Sequence, residues 1–313
     1  MKRAERRKTG EPGLRRLTTE RANLAAADLD LKPALEIART MNAEDAKVAS
    51  AVKTALPRIA TAIDRITEAL RNGGRLIYVG AGTSGRIAAL DAVECPPTFN
   101  VPPRTVQFVM SGGRKALGFA TEANEDFARL GERDIAKTKP GRKDVVVGIS
   151  ASGRTPFTVA ALKYARAHGA QTIAVTCNQN SALEKVADLA IVTKVGPEVI
   201  AGSTRLKAGT AQKMVLNMLT TGAMIRLGHV YGNLMAGLRL KNTKLLERGI
   251  GILQRAAGVD RTRARRMLKA SGNHVPTALV MLGADVGRAQ AERALQATSG
   301  HVRKAIALAA RSN

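Results

Sequence analysis

Leu76-Ile-Tyr-Val-Gly80-Ala-Gly-Thr83-Ser84-Gly85-Arg86 is the stretch on which the fold of this chain turns. Its first half is apolar and β-branched, as a buried strand is, and it stops abruptly in a turn of glycines and hydroxyls. Ile87-Ala-Ala-Leu-Asp-Ala-Val93 follows with helical character and leads to Glu94, set just before Pro96-Pro97. Strand, glycine-hydroxyl turn and helix in that order are how a parallel α/β domain builds an anion site. Glycines let the backbone bend towards a ligand, hydroxyls donate hydrogen bonds, and free amides at the helix start favour negative charge.

Outward from this segment the rhythm repeats. Short apolar runs predict strands at 76–80, 106–110, 144–149, 172–176 and 189–192, with helices between them at 86–93, 115–130, 156–168 and 181–186. Strands alternating with helical crossovers imply an α/β fold, a mostly parallel sheet covered by helices on both faces. Upstream, 17–72 reads as helical: Asn42 resembles an N-cap before an acidic first turn, and 56–70 forms a second helix with Pro57 at its start. Downstream, 207–227 and 233–248 read as two helices, followed by a break at Gly249-Ile-Gly251. A compact helical unit then holds 262–270, 275–282, 289–298 and a last helix from Val302. The chain is thus divided into a basic tail at 1–16, an α/β domain at 17–249 and a small helical domain at 250–313.

With 313 residues, 45% of them hydrophobic, the chain can bury a substantial core. No apolar stretch is long enough to span a bilayer, and the basic start lacks the apolar region of a secretory signal. Two cysteines, Cys95 and Cys177, make no disulfide framework, so a reducing cytoplasm is the expected location. The formal charge of +25 raises nucleic acid as a partner. Five Phe, three Tyr and no Trp supply few stacking platforms, however, so no nucleic-acid partner is expected. The excess charge is assigned to solubility and to steering of anionic substrates.

Three further elements carry chemistry. Ser150-Ala-Ser152-Gly-Arg-Thr155-Pro156 again follows a strand and opens a helix. Its three hydroxyls can wrap a phosphate without a metal, although plain capping needs one of them. Two such turns at the carboxyl ends of strands in one sheet point to a shared crevice and a phosphorylated small molecule. Gly202-Ser-Thr-Arg-Leu-Lys207 precedes the long helix; Arg205 and Lys207 can neutralise a ligand anion, or the segment merely caps the helix. Among the acids, Glu122, Glu125 and Asp126 read as a solvated helical face. Glu94, pinned between an apolar helix end and a double proline, reads as a buried general acid with a raised pKa. The four histidines are isolated, so no metal site is expected, and Cys95 reads as a small buried hydrophobe.

Taken together, Gly74–Arg86, Glu94-Cys-Pro-Pro-Thr-Phe99, Ser150–Pro156 and Gly202–Lys213 resemble the N-acetylmuramic acid 6-phosphate etherases, over nearly the whole chain from Leu17-Thr-Thr-Glu20 onwards. The resemblance implies a sugar isomerase (SIS) type parallel sheet in an α/β/α sandwich with a small C-terminal all-helical, UBA-like domain, working as a homodimer. It implies a carbon–oxygen lyase that cleaves the D-lactyl ether of N-acetylmuramic acid 6-phosphate by elimination and water addition, in cell-wall amino-sugar recycling, with no cofactor. Carried over by position, Glu94 matches the proton donor to the departing lactate and Glu125 the second acid/base. Ser150, Ser152 and Thr155 match phosphate ligands and Thr83 and Ser84 sugar contacts; Lys207, read above from its own segment as an anion ligand, is added to the substrate-binding set. The chain departs from the family pattern at Val93, Asn100 and Arg114. A non-catalytic sugar-phosphate regulator resembling the glucokinase regulatory proteins uses the same loops and is the alternative.

Overall fold

A computed structural model describes residues 17–119, 124–238, 240 and 242–311. The tail at 1–16 and Glu122 lie outside the described residues. Five strands form one sheet: β1 (Leu76–Gly80), β2 (Val106–Met110), β3 (Val145–Ile149), β4 (Gln171–Thr176) and β5 (Leu189–Val192). All pair in parallel in the order β2-β1-β3-β4-β5. Alternation within the strands supplies both faces of the sheet. Leu76 and Tyr78 enter one core with Val145, Val147 and Ile149, while Ile77, Val79 and Val146 enter the other.

Helices α1 (Ala34–Thr54), α2 (Leu56–Arg71), α3 (Gly82–Phe99) and α7 (Lys207–Arg226) close the first core through Val52, Ile59, Ala88 and Leu219. The opposite face is covered by α4 (Ala128–Ala136), α5 (Pro156–Ala167) and α6 (Ala182–Val186), through Ile135, Phe157, Leu162 and Leu183. The sheet and its two helical layers are the expected α/β/α sandwich, with further helices at the C-terminus. Those are α8 (Thr243–Ala257), α9 (Arg261–Ala270), α10 (Val275–Ala284), α11 (Arg288–Ala297) and α12 (Val302–Ala310), around a separate core of Ile250, Leu253, Leu268, Leu279 and Val302.

Several local expectations are corrected. Asn42 lies inside α1, not at a cap, because the helix already starts after Pro33. The Gly249-Ile-Gly251 break does not exist. Asn242 caps α8 by accepting from the Leu245 amide, and the helix runs through both glycines. Gly249 is where Leu240, Val275 and Leu268 pack closely, so that a Cβ there would lie 3.1–3.4 Å from their methyl groups. A division at 249/250 would therefore cut α8, which belongs to the C-terminal core, and the predicted helix at 233–248 is mostly non-helical up to Asn242. Nor is 115–130 one helix: a 3-10 turn at Gly113–Leu117 is followed by α4, which begins only at Ala128. Conversely α3 continues through Pro96 and Pro97 to Phe99, ending where Asn100 takes the left-handed conformation at φ 55°. Prolines in the final turn forfeit two amide donors without ending the helix.

Candidate active site

The strand order reverses between β1 and β3, and in such sheets ligands bind outside the carboxyl ends of the strands at that point. Gly80 of β1 pairs in register with Ile149 of β3, so the two glycine-hydroxyl turns leave the sheet side by side. They wall a cavity of about 710 Å³ that contains Thr83, Ser84, Ser150, Ser152, Thr155 and Glu125 in its lining. Six residues read separately from the sequence thus converge on one space.

The turn after β3 is built around its hydroxyls. Ser150 Oγ lies 2.9 Å from Thr155 Oγ1 and 3.3 Å from Ser152 Oγ, and it accepts from the Gly153 amide at 3.1 Å. Ser152 Oγ accepts from the Arg154 amide at 3.2 Å. Gly153 is at φ 67°, and a Cβ there would lie 2.4 Å from the Ser181 side chain, so only glycine permits the loop. Thr155 stands at the N-cap position of α5 with Pro156 in the first turn, so the hydroxyls of this turn gather at a helix start on the wall of the same cavity.

The turn after β1 is anchored from behind. Ser84 Oγ donates to Gln212 Oε1 of α7 at 3.0 Å. Deeper along α3, the buried Asp91 carboxylate accepts from Tyr78, Asn217 and Thr220, at 2.8, 2.6 and 3.1 Å, which ties β1, α3 and α7 into one unit. Burial pushes the Asp91 carboxyl upward, and these three bonds pull against it. Glu125 arrives from the segment before α4. Its carbonyl accepts from the Phe157 amide at 3.1 Å, and its Oε2 lies 3.8 Å from where a Cβ on Gly82 would stand.

Two expected site residues are placed elsewhere. Lys207 is 1% exposed, and its Nζ bonds the Glu44 carboxylate at 2.5 Å. Its backbone amide and that of Ala208 donate to the buried Glu198 carboxylate, at 3.0 and 2.9 Å. Lys207 is therefore committed to joining α1 to the start of α7 and does not line the cavity. Burial alone would raise the Glu44 pKa, but hydrogen bonds from Lys207, Lys47 and Asn23 overcome it and bring the value down to about 2. Glu94 is exposed on α3, not buried. It lies ten residues beyond Ser84, which at a rise of 1.5 Å per residue is about 15 Å along the helix. Within one chain it stands outside the cavity that holds Glu125.

The lining also holds residues that the sequence did not assign to the site, among them Glu20, Arg86, Arg154 and Thr204. The amide of Gly202 donates to the Thr19 carbonyl at 3.0 Å, which brings the Leu17-Thr-Thr-Glu20 turn against the loop before α7. Glu20 and Thr204 lie inside the Leu17–Glu20 and Gly202–Lys207 motifs, but no local pattern shows that segments so far apart in sequence meet. Both cysteines are buried, and burial pushes each thiol up to about 12.

Residues 58–166 match the model of the glucokinase regulatory protein N-terminal SIS domain, and residues 137–222 match the SIS domain model. The fold and its site thus define an SIS-domain protein. Over 270 residues the chain is 54% identical to the N-acetylmuramic acid 6-phosphate etherase of Symbiobacterium thermophilum, covering 86% of this chain and 89% of the relative. It is 49% identical over 266 residues to N-acetylmuramic acid 6-phosphate etherase 1 of Bacillus licheniformis, covering 85% and 88%. The chain belongs to the N-acetylmuramic acid 6-phosphate etherase family.

Proposed function

We propose that this chain cleaves the D-lactyl ether of N-acetylmuramic acid 6-phosphate, giving N-acetylglucosamine 6-phosphate and D-lactate, as a step in amino-sugar recycling in the cytoplasm. The observation that carries the reading is the convergence of the Ser150–Thr155 turn, the Gly82–Arg86 turn and Glu125 on one cavity, in a chain of this family. Ser150, Ser152 and Thr155 hold the phosphate through their hydroxyls, and Thr83 and Ser84 face the sugar. In the open-chain sugar the C1 aldehyde acidifies the C2 proton. A carboxylate removes that proton, the electron pair forms the C2–C3 double bond, and the C3–O bond breaks. A carboxylic acid protonates the departing lactate oxygen. Water then adds to C3 while C2 regains a proton, so atoms balance and no electron acceptor is consumed.

One of these roles is assigned to Glu125, which lines the cavity, and the other to Glu94 of a second copy of the chain. Leu90, Val93, Glu94 and Pro97 recur at helical spacing along one exposed stripe of α3, with Leu90 53% and Val93 55% exposed. Such a stripe calls for a cover. A second copy packed there in a homodimer would deliver each Glu94 to the other subunit's cavity, and the two sites would be equivalent by symmetry.

Incubation with N-acetylmuramic acid 6-phosphate in oxygen-18 water should release D-lactate and place the label on C3 of N-acetylglucosamine 6-phosphate. Folded protein that releases no lactate would contradict the assignment. Sugar-phosphate binding without turnover would favour the regulator reading instead.

A further inference from the structure

A second cavity, of about 570 Å³, lies where the sheet domain meets the C-terminal helices. Its wall takes Arg71 from the last turn of α2, Arg226 from the last turn of α7, and His229 just beyond. Asn100, at the end of α3, adds its amide, and His301 and Lys304 enter from the start of α12. No Asp or Glu lines it among the described residues, and it shares no residue with the cavity holding Glu125. Its volume is in the range that holds a small metabolite.

The cations here are not all explained by the folding of the chain. Arg71 and Arg226 stand at helix C-termini, where the helix field favours positive charge, and each reaches a surface carboxylate, Glu68 and Asp64, at 3.3 Å. Exposed pairs of that kind are weak and yield to a better anion. Lys304 is the reverse case. It sits with Arg303 in the first turn of α12, which carries no acid, where the helix field opposes a cation. Arg303 turns away onto the Tyr231 ring, 4.8 Å from its centroid, but the cavity wall offers Lys304 no carboxylate. His301 is equally unusual. It is pressed against Gly228 so closely that a Cβ there would meet its Cα at 2.6 Å, and its Nδ1 is buried with no hydrogen-bond partner among the described residues.

We propose that this cavity binds a small phosphate-bearing anion, held by Arg71, Arg226 and Lys304 beside the His229 and His301 rings, and so fastens the C-terminal helices to the sheet domain. A phosphate dianion matches the guanidinium forks and supplies several acceptors to a wall that carries three cations and no carboxylate among the described residues. It also places negative charge at the start of α12, where the helix field calls for it.

The four histidines of the chain provide the test. Inorganic phosphate is titrated into the full-length protein at constant ionic strength maintained with chloride, and the imidazole resonances are followed by nitrogen–proton correlation. His229 and His301 should shift saturably while His168 and His274 stay in place. Arg226→Gln combined with Lys304→Gln should weaken the saturation by about tenfold or more, as expected for lost charge-assisted bonds, with far-ultraviolet circular dichroism unchanged. Ser150→Ala combined with Thr155→Ala should leave the histidine shifts intact, which separates this site from the catalytic cavity. Glycerol 3-phosphate in place of phosphate distinguishes an ester from the free ion as the better ligand, and saturation by either supports the site. Silent His229 and His301 resonances, shifts that chloride alone reproduces, or undiminished binding by the double variant would each overturn the proposal.

Discussion

Mixing two inactive variants should restore activity if the active site is shared between subunits. In the proposed reaction Glu94 and Glu125 serve adjacent carbons of one substrate, C2 and C3. Yet Glu125 lies near the Gly82 end of α3, and Glu94 lies ten residues past Ser84. That interval is about 15 Å of helix, more than a glutamate side chain spans. Glu94→Gln and Glu125→Gln should each lower turnover by about 10²-fold or more, the usual loss for a positioned acid or base. When the two are unfolded, mixed in equal amounts and refolded, half of the dimers are heterodimers. In each heterodimer one site receives both defects and the other receives neither. About one quarter of all sites are then intact, so D-lactate release from N-acetylmuramic acid 6-phosphate should recover to about one quarter of the parental rate. If both glutamates acted within one chain, every site would keep one defect. A mixture no more active than the separate variants, in protein shown to be dimeric by sedimentation, would refute the arrangement.

Lys207→Met should destabilise the fold by about 3 kcal/mol, the low end for breaking a buried pair, because Lys47 still reaches Glu44. Denaturant titration reads this loss, and a large fall in kcat/KM of the folded variant would return Lys207 to the catalytic site. Glu44 has its pKa brought down from 4.5 to about 2, so its stabilising contribution is complete above the unfolded value and fades as pH falls from about 4.5 to 2. Denaturation midpoints should drop across that window, and Glu44→Gln should flatten the slope. Ser150→Ala removes a hydroxyl from the proposed phosphate cradle. It should cost about 1.5–3 kcal/mol of binding to a charged group, or roughly 10- to 100-fold in kcat/KM, and an unchanged value would place the phosphate elsewhere. Iodoacetamide at neutral pH should leave the native protein active, since both buried thiols titrate only at about 12. Rapid inactivation would show one of them to be accessible.

The strands were legible because a strand buried on both faces is a short, continuous, β-branched run, and β1, β2 and β5 fall where 76–80, 106–110 and 189–192 were read. The two turns were legible for a related reason: Gly153 and Ser150 do their work within a few residues of each other. Where the reading failed, the deciding partner lay far away. Lys207 resembles an anion ligand until Glu44 is brought to it from α1, 163 residues distant. Gly249 resembles a helix break until Leu268 and Val275 are packed against it.

From its sequence alone the chain discloses its parallel α/β class, its two hydroxyl turns and the family to which the run from Gly74 to Lys213 belongs. All of these are written in contiguous residues, whose backbone conformation and hydrogen bonding are set locally. Whether a given acid or cation is a catalyst, a clasp or a surface charge is another matter. Glu94 on an open helix face, Glu125 near Gly82 and Lys207 sealed onto Glu44 are distinguished by their neighbours in space. A charge takes its role from desolvation and from its partners, and those are assigned only when α1, α3 and α7 close over the sheet.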